Sequence, residues 1–481
     1  MMTDFNLIPL LPEIFMAFTG MVLLMVGVLQ GNDSTRIVSW FTVLAFMLTL
    51  VLVLGLDWNK QAVLGGMFMF DQFAGFMKIL VLLGLGVSLA ISVRYLIQEQ
   101  LERFEYPVLT LFAGLGMMLM LSAGSLLTLY MALELQSLSL YVLAAFRRNS
   151  LKSAEAGAKY FILGALSSGM ILFGISLIYG FTGSVDYGVI HDALAATAEP
   201  NLGAVVGLVF LLAGIAFKIS AAPFHMWTPD VYQGAPTSVT ALFAIVPKVA
   251  AIGVLMRLVF EPFAPLMEQS GQILYFLAAA SLLVGAFAAI PQTNIKRLMA
   301  YSSIGNMGYA LIGLVAGSQA GAGAVVLYMI IYLIMTAGVF TIILTMRRGG
   351  LAVDKISDLS GLSQTHPALA YAMAVLMFSM AGIPPMAGFF GKLAIFQAAV
   401  ASGVVYLAVL GVLASVVAAY YYLKIVKVMF FDEPLEAYDG AIPFARRAVM
   451  LISVLFVIGF VLKPNFLFDS ARSAASVLFP G

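Results

Sequence analysis

The strongest constraint on this chain is a series of fourteen long apolar runs, each about the 17–25 residues that cross a hydrocarbon core as a helix. Their approximate limits are 5–29, 37–55, 72–97, 107–123, 126–146, 157–181, 202–227, 238–260, 271–290, 298–317, 320–346, 367–400, 401–430 and 447–464. A membrane β-barrel would show short alternating segments instead. The chain is 62% hydrophobic and only 10% charged, so no water-soluble core could absorb it. The predicted fold class is an all-α polytopic membrane protein of about 14 transmembrane helices.

Orientation follows from Lys and Arg in the loops. With the N-terminus outside the cytoplasm, fifteen basic loop residues fall on the cytoplasmic side, and four (Lys60, Arg257, Lys463 and Arg472) fall opposite. Both termini are then expected in the periplasm of a bacterial inner membrane. The opening MMTDFNLIPLLPEIF lacks a basic n-region and an A-x-A cleavage site, so it reads as a retained first span.

Net charge is +1, which offers no field for nucleic acid. There are no cysteines, which excludes disulfides and thiolate-held iron–sulfur clusters. The three histidines, His191, His225 and His366, are not spaced as a metal or haem pair. Any electron transfer is therefore expected in another chain.

Two spans read as broken helices. The twelfth is too long for one straight crossing and contains AGIPPMAGFFGK, with Pro384 beside Pro385. The seventh runs AGIAFKISAAPFHMW, with Pro223 five residues after Lys218, and continues toward the Pro229–Tyr232 stretch. Proline removes a backbone donor and interrupts the helix. Discontinuous helices in corresponding halves point to a transport site. Their spacing suggests two inverted five-helix repeats, spans 4–8 and 9–13, because units of odd helix count alternate in topology. The predicted organisation is one membrane domain: residues 1–106 with three spans, repeats at 107–260 and 271–430, and 431–481 with the last span and tail.

Glu134 lies nine residues into the fifth span, LLTLYMALELQSLSLYVLAAF. An ionised acid near the bilayer centre costs roughly 2.5–3.5 kcal/mol on insertion scales, which makes it a functional candidate. Lys218, Lys248 and Lys392 also lie deep in spans, each beside a break or a proline, where freed carbonyls and water can be accommodated. One structural ion pair would explain a single such lysine, not three with one central acid.

Other candidates carry less. Glu155 and Lys159 stand four residues apart at the start of the sixth span, an order that also suits a plain surface pair. Lys78 is only a few residues inside the third span, so it is expected to snorkel to the interface. His225 follows the seventh-span break and is a candidate proton relay. Gly203 and Gly207 form a GxxxG packing motif. AGAGAVV at 320–326 imitates a dinucleotide fingerprint, but no strand precedes it.

Burial strips solvent from an ammonium and lowers a lysine pKa by up to about 3–5 units, and a nearby carboxylate restores it. Moving one charge against 100 mV costs about 2.3 kcal/mol. A swing of roughly two units, at about 1.36 kcal/mol each, covers that cost. If Glu134 approaches and leaves Lys218, the lysine loads and releases a proton.

The fourteen spans, the acid in LYMALELQSLSLYVLAAF, and the segments FKISAAPFHMWTPDVYQGAPT and PPMAGFFGK resemble the antiporter-like membrane subunits of respiratory complex I, the proton-pumping NADH:quinone oxidoreductase. The opening LIPLLPEIF, a lysine instead of a glutamate in the twelfth span, and the absence of a long lateral helix after span fourteen resemble one branch of that family. The resemblance implies that Glu134 and Lys218 form the fifth- and seventh-span pair, that Lys248 is the connecting lysine, and that Lys392 faces the outer exit. Glu155 and Lys159 match a further family pair. Many relatives carry histidine where this chain has Asn306, so no proton carrier is assigned there. The resemblance also implies that FMN, iron–sulfur clusters and quinone belong to partner subunits. A neighbouring antiporter-like subunit, small membrane subunits and lipid would then surround this chain.

Two other readings stay open at this level. A subunit of a multi-subunit cation/proton antiporter shares the same spans and lysines. A structural spacer would use its buried charges only to hold helices together.

Overall fold

The apolar runs become helices because a backbone in hydrocarbon must satisfy its own N–H and C=O groups. Local sequence sets many of their starts. Asp71, Ser125, Ser150 and Asn294 each accept a backbone N–H in the first turn that follows. Pro12, Pro247 and Pro367 sit at helix starts, where a missing N–H leaves nothing unpaired. The computed structural model describes residues 6–197 and 199–479; Phe5, at the expected edge of the first span, lies outside them.

In chain order the helices are α1 Leu11–Gln30, α2 Thr35–Leu54, α3 Gln72–Gln98, α4 Glu105–Leu121, α5 Leu126–Ala144 and α6 Leu151–Thr182. There follow α7 Tyr187–Ala195, α8 Leu202–Ile219, α9 Trp227–Gly234, α10 Thr237–Ile245, α11 Pro247–Phe260, α12 Met267–Phe287, α13 Ile295–Val315 and α14 Gln319–Ile343. The chain ends with α15 Leu362–Thr365, α16 Pro367–Ala381, α17 Ala387–Ala401, α18 Val405–Phe431, α19 Phe444–Gly459 and α20 Asn465–Ser476. Two small antiparallel hairpins, β1 Gln61–Val63 with β2 Phe68–Phe70 and β3 Arg347–Arg348 with β4 Leu351–Ala352, cap loops outside the spans.

Every expected span has a helical counterpart. The seventh is α8 and α9 around a break at 220–226, and the twelfth is α16 and α17 around 382–386, as the prolines predicted. The eighth adds a kink between α10 and α11 at Pro247. The 320–326 segment is the start of α14, with no phosphate-binding turn.

Helices α10, α11, α13 and α14 form the buried centre, with α10 and α11 enclosed along their full length. Helices α1, α2, α6, α18 and α19 expose broad apolar faces, as helices apolar all round must where lipid covers one side. The GxxxG motif packs as expected: a Cβ at Gly174 of α6 would lie 2.6 Å from the Gly207 carbonyl of α8. Loops expected on one side meet one another. At the arginine-rich end, Glu99 bonds both Arg147 and Arg347. At the opposite end, α20 packs beside the starts of α3 and α14, with Gln72 donating to Ser473 Oγ at 2.8 Å.

Candidate functional site

The α8 helix ends one residue after Lys218. Ser220 then takes a left-handed φ of +62°, a conformation unusual for a side chain with a Cβ, and turns the chain out of the helix. Trp227 at the start of α9 donates through Nε1 to the Phe217 carbonyl at 3.0 Å, which ties the two half-helices together. Ser281 of α12 accepts the Ala222 N–H at 2.8 Å within the break. The interruption is therefore hydrogen-bonded, as backbone buried at membrane depth requires.

Lys218 is 8% exposed and points into α5 and α6. Its Nζ donates to Ser137 Oγ at 2.8 Å and lies 3.4 Å from both Tyr141 Oη and Ser168 Oγ. The sequence expectation was that Glu134 approaches and leaves Lys218. In the structure the lysine bonds Ser137, three residues further along α5 and therefore on the same face as Glu134. Glu134 stands half-buried, with Oε1 enclosed and without a hydrogen-bond partner. One turn of α5 thus carries both the hydroxyl that binds the lysine and the carboxylate of Glu134.

Lys248 follows the Pro247 kink and is 1% exposed. It donates to Ser303 Oγ on α13 and lies 5.4 Å from the Tyr232 ring centre. Lys392, 5% exposed, sits on α17 and folds back onto the end of α16. It donates to the Met380 and Ala381 carbonyls at 2.9 and 3.2 Å and to Ser415 Oγ at 2.8 Å. Those carbonyls are free because the Pro384–Pro385 break ends α16 there. Its Nζ also lies 4.6 Å from the Tyr309 ring centre. Among the described residues no carboxylate pairs with any of the three lysines.

At the arginine-rich end, Lys159 contacts both Glu155 and Asp230 at 2.7 Å. Asp230 also binds Arg297 at 2.6 Å, which joins α6, α9 and α13 in one cluster. A cavity of ≈190 Å³ opens here, lined by Lys152, Glu155, Lys159, Asp230 and Gln233. Sequence reasoning missed Asp230, although it stands inside the quoted TPD segment at the end of a broken span. His225 follows the α8–α9 break with Nδ1 buried and unbonded, and no hydrogen bond joins it to the lysines.

Lys78 corrects the expectation. It does not reach the interface: it is fully buried, 2.6 Å from Glu13 of α1, over the rings of Phe68 and Phe70. The acid that holds it comes from another span, so position within α3 alone could not reveal it. Next to it, Asp71 takes a two-point bond from Arg257 at 2.8 and 2.9 Å, and Arg257 also binds Glu261 at 2.9 Å.

The family described as NADH:quinone oxidoreductase/Mrp antiporter, TM, matches residues 123–418. Along its whole length the chain is similar to NADH-quinone oxidoreductase subunit N of Paramagnetospirillum magneticum, 52% identical over 484 residues, covering 100% of this chain and 99% of that protein. Among solved structures it is similar to a chain of respiratory complex I from Thermus thermophilus with bound aureothin. That match has a TM-score of 0.81 and 33% identity, covering 95% of this chain and 98% of that one. A chain of the Mrp complex from Dietzia sp. gives a TM-score of 0.85 at 24% identity, covering 98% of each chain, which is a likeness of fold.

Proposed function

Because this chain belongs to the NADH:quinone oxidoreductase/Mrp antiporter family of membrane subunits, we propose that it moves protons from cytoplasm to periplasm through Glu134, Lys218, Lys248 and Lys392. It is a proton-translocating membrane subunit of NADH:quinone oxidoreductase in a bacterial membrane, corresponding to subunit N of its relatives. The separate antiporter reading gives way to 52% identity across the full chain, against a likeness of fold alone to the Mrp complex.

The observation that carries the proton path is the set of partners around the three lysines. Each ammonium meets hydroxyl or carbonyl oxygens and, among the described residues, no carboxylate. A hydroxyl accepts from an ammonium and donates to an amine, so the lysine keeps a partner in either protonation state. A carboxylate accepts from an ammonium but cannot donate to an amine, so a permanent ion pair such as Glu13 with Lys78 offers no such exchange. Lysine suits the task because its compact charge sits on a flexible stem.

In this reading the cleft at Glu155, Lys159 and Asp230 takes protons from the cytoplasm, and His225 stands beside the break as a lesser relay. Lys218 loads when it turns from Ser137 toward Glu134 and unloads when it returns. The proton passes to Lys248 and then to Lys392, which faces the outer exit. The driving event is quinone reduction in other subunits, where FMN and the iron–sulfur clusters also reside. Subunit M and small membrane subunits are the proposed neighbours, with lipid over the remaining faces and both termini periplasmic. Spans 4–8 and 9–13 act as the two inverted halves.

The test is proton pumping by the reconstituted complex carrying Lys218→Met, normalised to NADH oxidation. A lower proton yield per NADH in a normally assembled complex is expected. An unchanged yield would make the buried charges structural and this chain a spacer.

A further inference from the structure

Arg446, in the first turn of α19, carries a buried charge that no side chain balances. It is 2% exposed and lies at the arginine-rich end. Its Nε donates to the Ile91 carbonyl of α3 at 3.1 Å, and its Nη1 donates to the Leu344 carbonyl just past α14 at 2.8 Å. Its Nη2 is enclosed and bonds nothing, and among the described residues no carboxylate pairs with it. Beside it opens a cavity of ≈20 Å³, lined also by Gln98, Arg347, His366, Tyr438 and Asp439. Two of these side chains add enclosed, unbonded atoms, Gln98 Oε1 and His366 Nδ1. Tyr438 donates to the Asp358 carbonyl at 2.9 Å and stacks on His366 with ring centres 5.5 Å apart, which holds the imidazole at the wall. The acids nearby are engaged elsewhere. Glu99 is shared by Arg147 and Arg347. Asp439 is exposed and accepts the Gly349 and Gly350 N–H groups at 3.2 and 2.7 Å. Arg147, Arg347 and Arg446 thus outnumber Glu99 and Asp439.

We propose that this cavity binds one small monovalent anion of halide size, which supplies the counter-charge of Arg446. A buried charge is costly unless paired, and a guanidinium cannot escape the cost by losing its proton. Every guanidinium N–H is a donor, so the unbonded Nη2 calls for an acceptor. His366 Nδ1 donates in the tautomer that carries its proton there. Turning the Gln98 amide over presents Nε2 in place of Oε1, an exchange of groups of nearly equal shape. Three donors then face one cavity where positive charge is in excess. Size selects the ion. About 10–15 Å³ of such volume holds one water-sized sphere, so a single-atom ion fits and a phosphate does not. A water molecule could bridge the same three side chains, but it would leave the charge unbalanced. The bound ion draws the starts of α16 and α19 onto the ends of α3 and α14. The site stands independently of the proton path.

The experiment uses the assembled complex in sodium chloride, bromide or gluconate at equal ionic strength. Hydrogen exchange is read over residues 437–450, which include Tyr438 and Arg446. In the native complex exchange slows saturably with chloride and bromide and not with gluconate, as expected for a ligand that binds only the closed form. Gln98→Glu builds a carboxylate into the cavity, so its exchange is slow in all three salts, with NADH oxidation unchanged. Arg446→Gln removes the charge, so its exchange is fast in all three. Crystals of the native complex in bromide, which need no variant, show an anomalous peak beside Arg446 Nη2 that Gln98→Glu abolishes. Native exchange that ignores the salt, or a cavity without the bromide peak, overturns the proposal and leaves a water in the site.

Discussion

Glu13 on α1 and Lys78 on α3 stand 2.6 Å apart, both buried, and bind the N-terminal helices to each other at membrane depth. Removing one member of a buried pair strands the other charge, at about 3–5 kcal/mol, whereas removing both is far milder. Glu13→Gln or Lys78→Met alone should sharply lower thermal stability of the purified complex, and Glu13→Gln/Lys78→Met should recover most of it. Additive losses in the double variant would refute a direct pair.

Ser137 supplies the neutral oxygen nearest Lys218. Ser137→Ala leaves Tyr141 and Ser168 in place and is expected to lower proton yield per NADH only in part. Ser137→Asp sets a fixed carboxylate against the ammonium and should reduce yield further while the complex still assembles. Native pumping by the Asp variant would remove Lys218 from the path.

Helices α6 and α8 touch through Gly174 and Gly207. A Val at position 174 would drive its Cβ into the Gly207 carbonyl, so Gly174→Val should cost about 1–3 kcal/mol, as overpacking does. Gly169 on the same helix has open space at its Cβ, and Gly169→Ala is the control that should leave unfolding unchanged. Equal effects at the two positions would contradict the packing.

Asp71 lies just outside the third span. Burial raises its pKa, but the Arg257 guanidinium outweighs this and holds the carboxyl below its ordinary 3.8. A group with a lowered folded pKa contributes stability above its unfolded pKa and loses that contribution as pH falls through the folded value. Stability of the native protein should therefore drop more steeply below about pH 4 than that of Asp71→Asn. Parallel curves would place the acid sensitivity elsewhere.

The spans and both breaks were legible because their causes are local: apolar run length and prolines at fixed positions. The three lysines were legible because a charge inside an apolar run has few harmless explanations. Their partners were not. Ser137 lies 81 residues before Lys218, and Ser303 lies 55 after Lys248. Lys78 was misread because distance from the end of α3 suggested an interfacial lysine, while Glu13 approaches it from α1. Asp230 escaped notice because a half-exposed acid at the end of a helix looks ordinary until Lys159 and Arg297 are seen to share it.

The sequence alone determined that this protein lives in a membrane, where its apolar runs lie, and which side chains would be costly there. Hydrocarbon imposes those properties on each segment separately, since every span must be apolar and satisfy its own backbone. Only the tertiary structure decided which buried charges meet a carboxylate and which meet hydroxyl or carbonyl oxygens. That depends on which faces of distant helices meet: a carboxylate from α1 fixes Lys78, while hydroxyls from α5, α6, α13 and α18 leave Lys218, Lys248 and Lys392 a partner in either state.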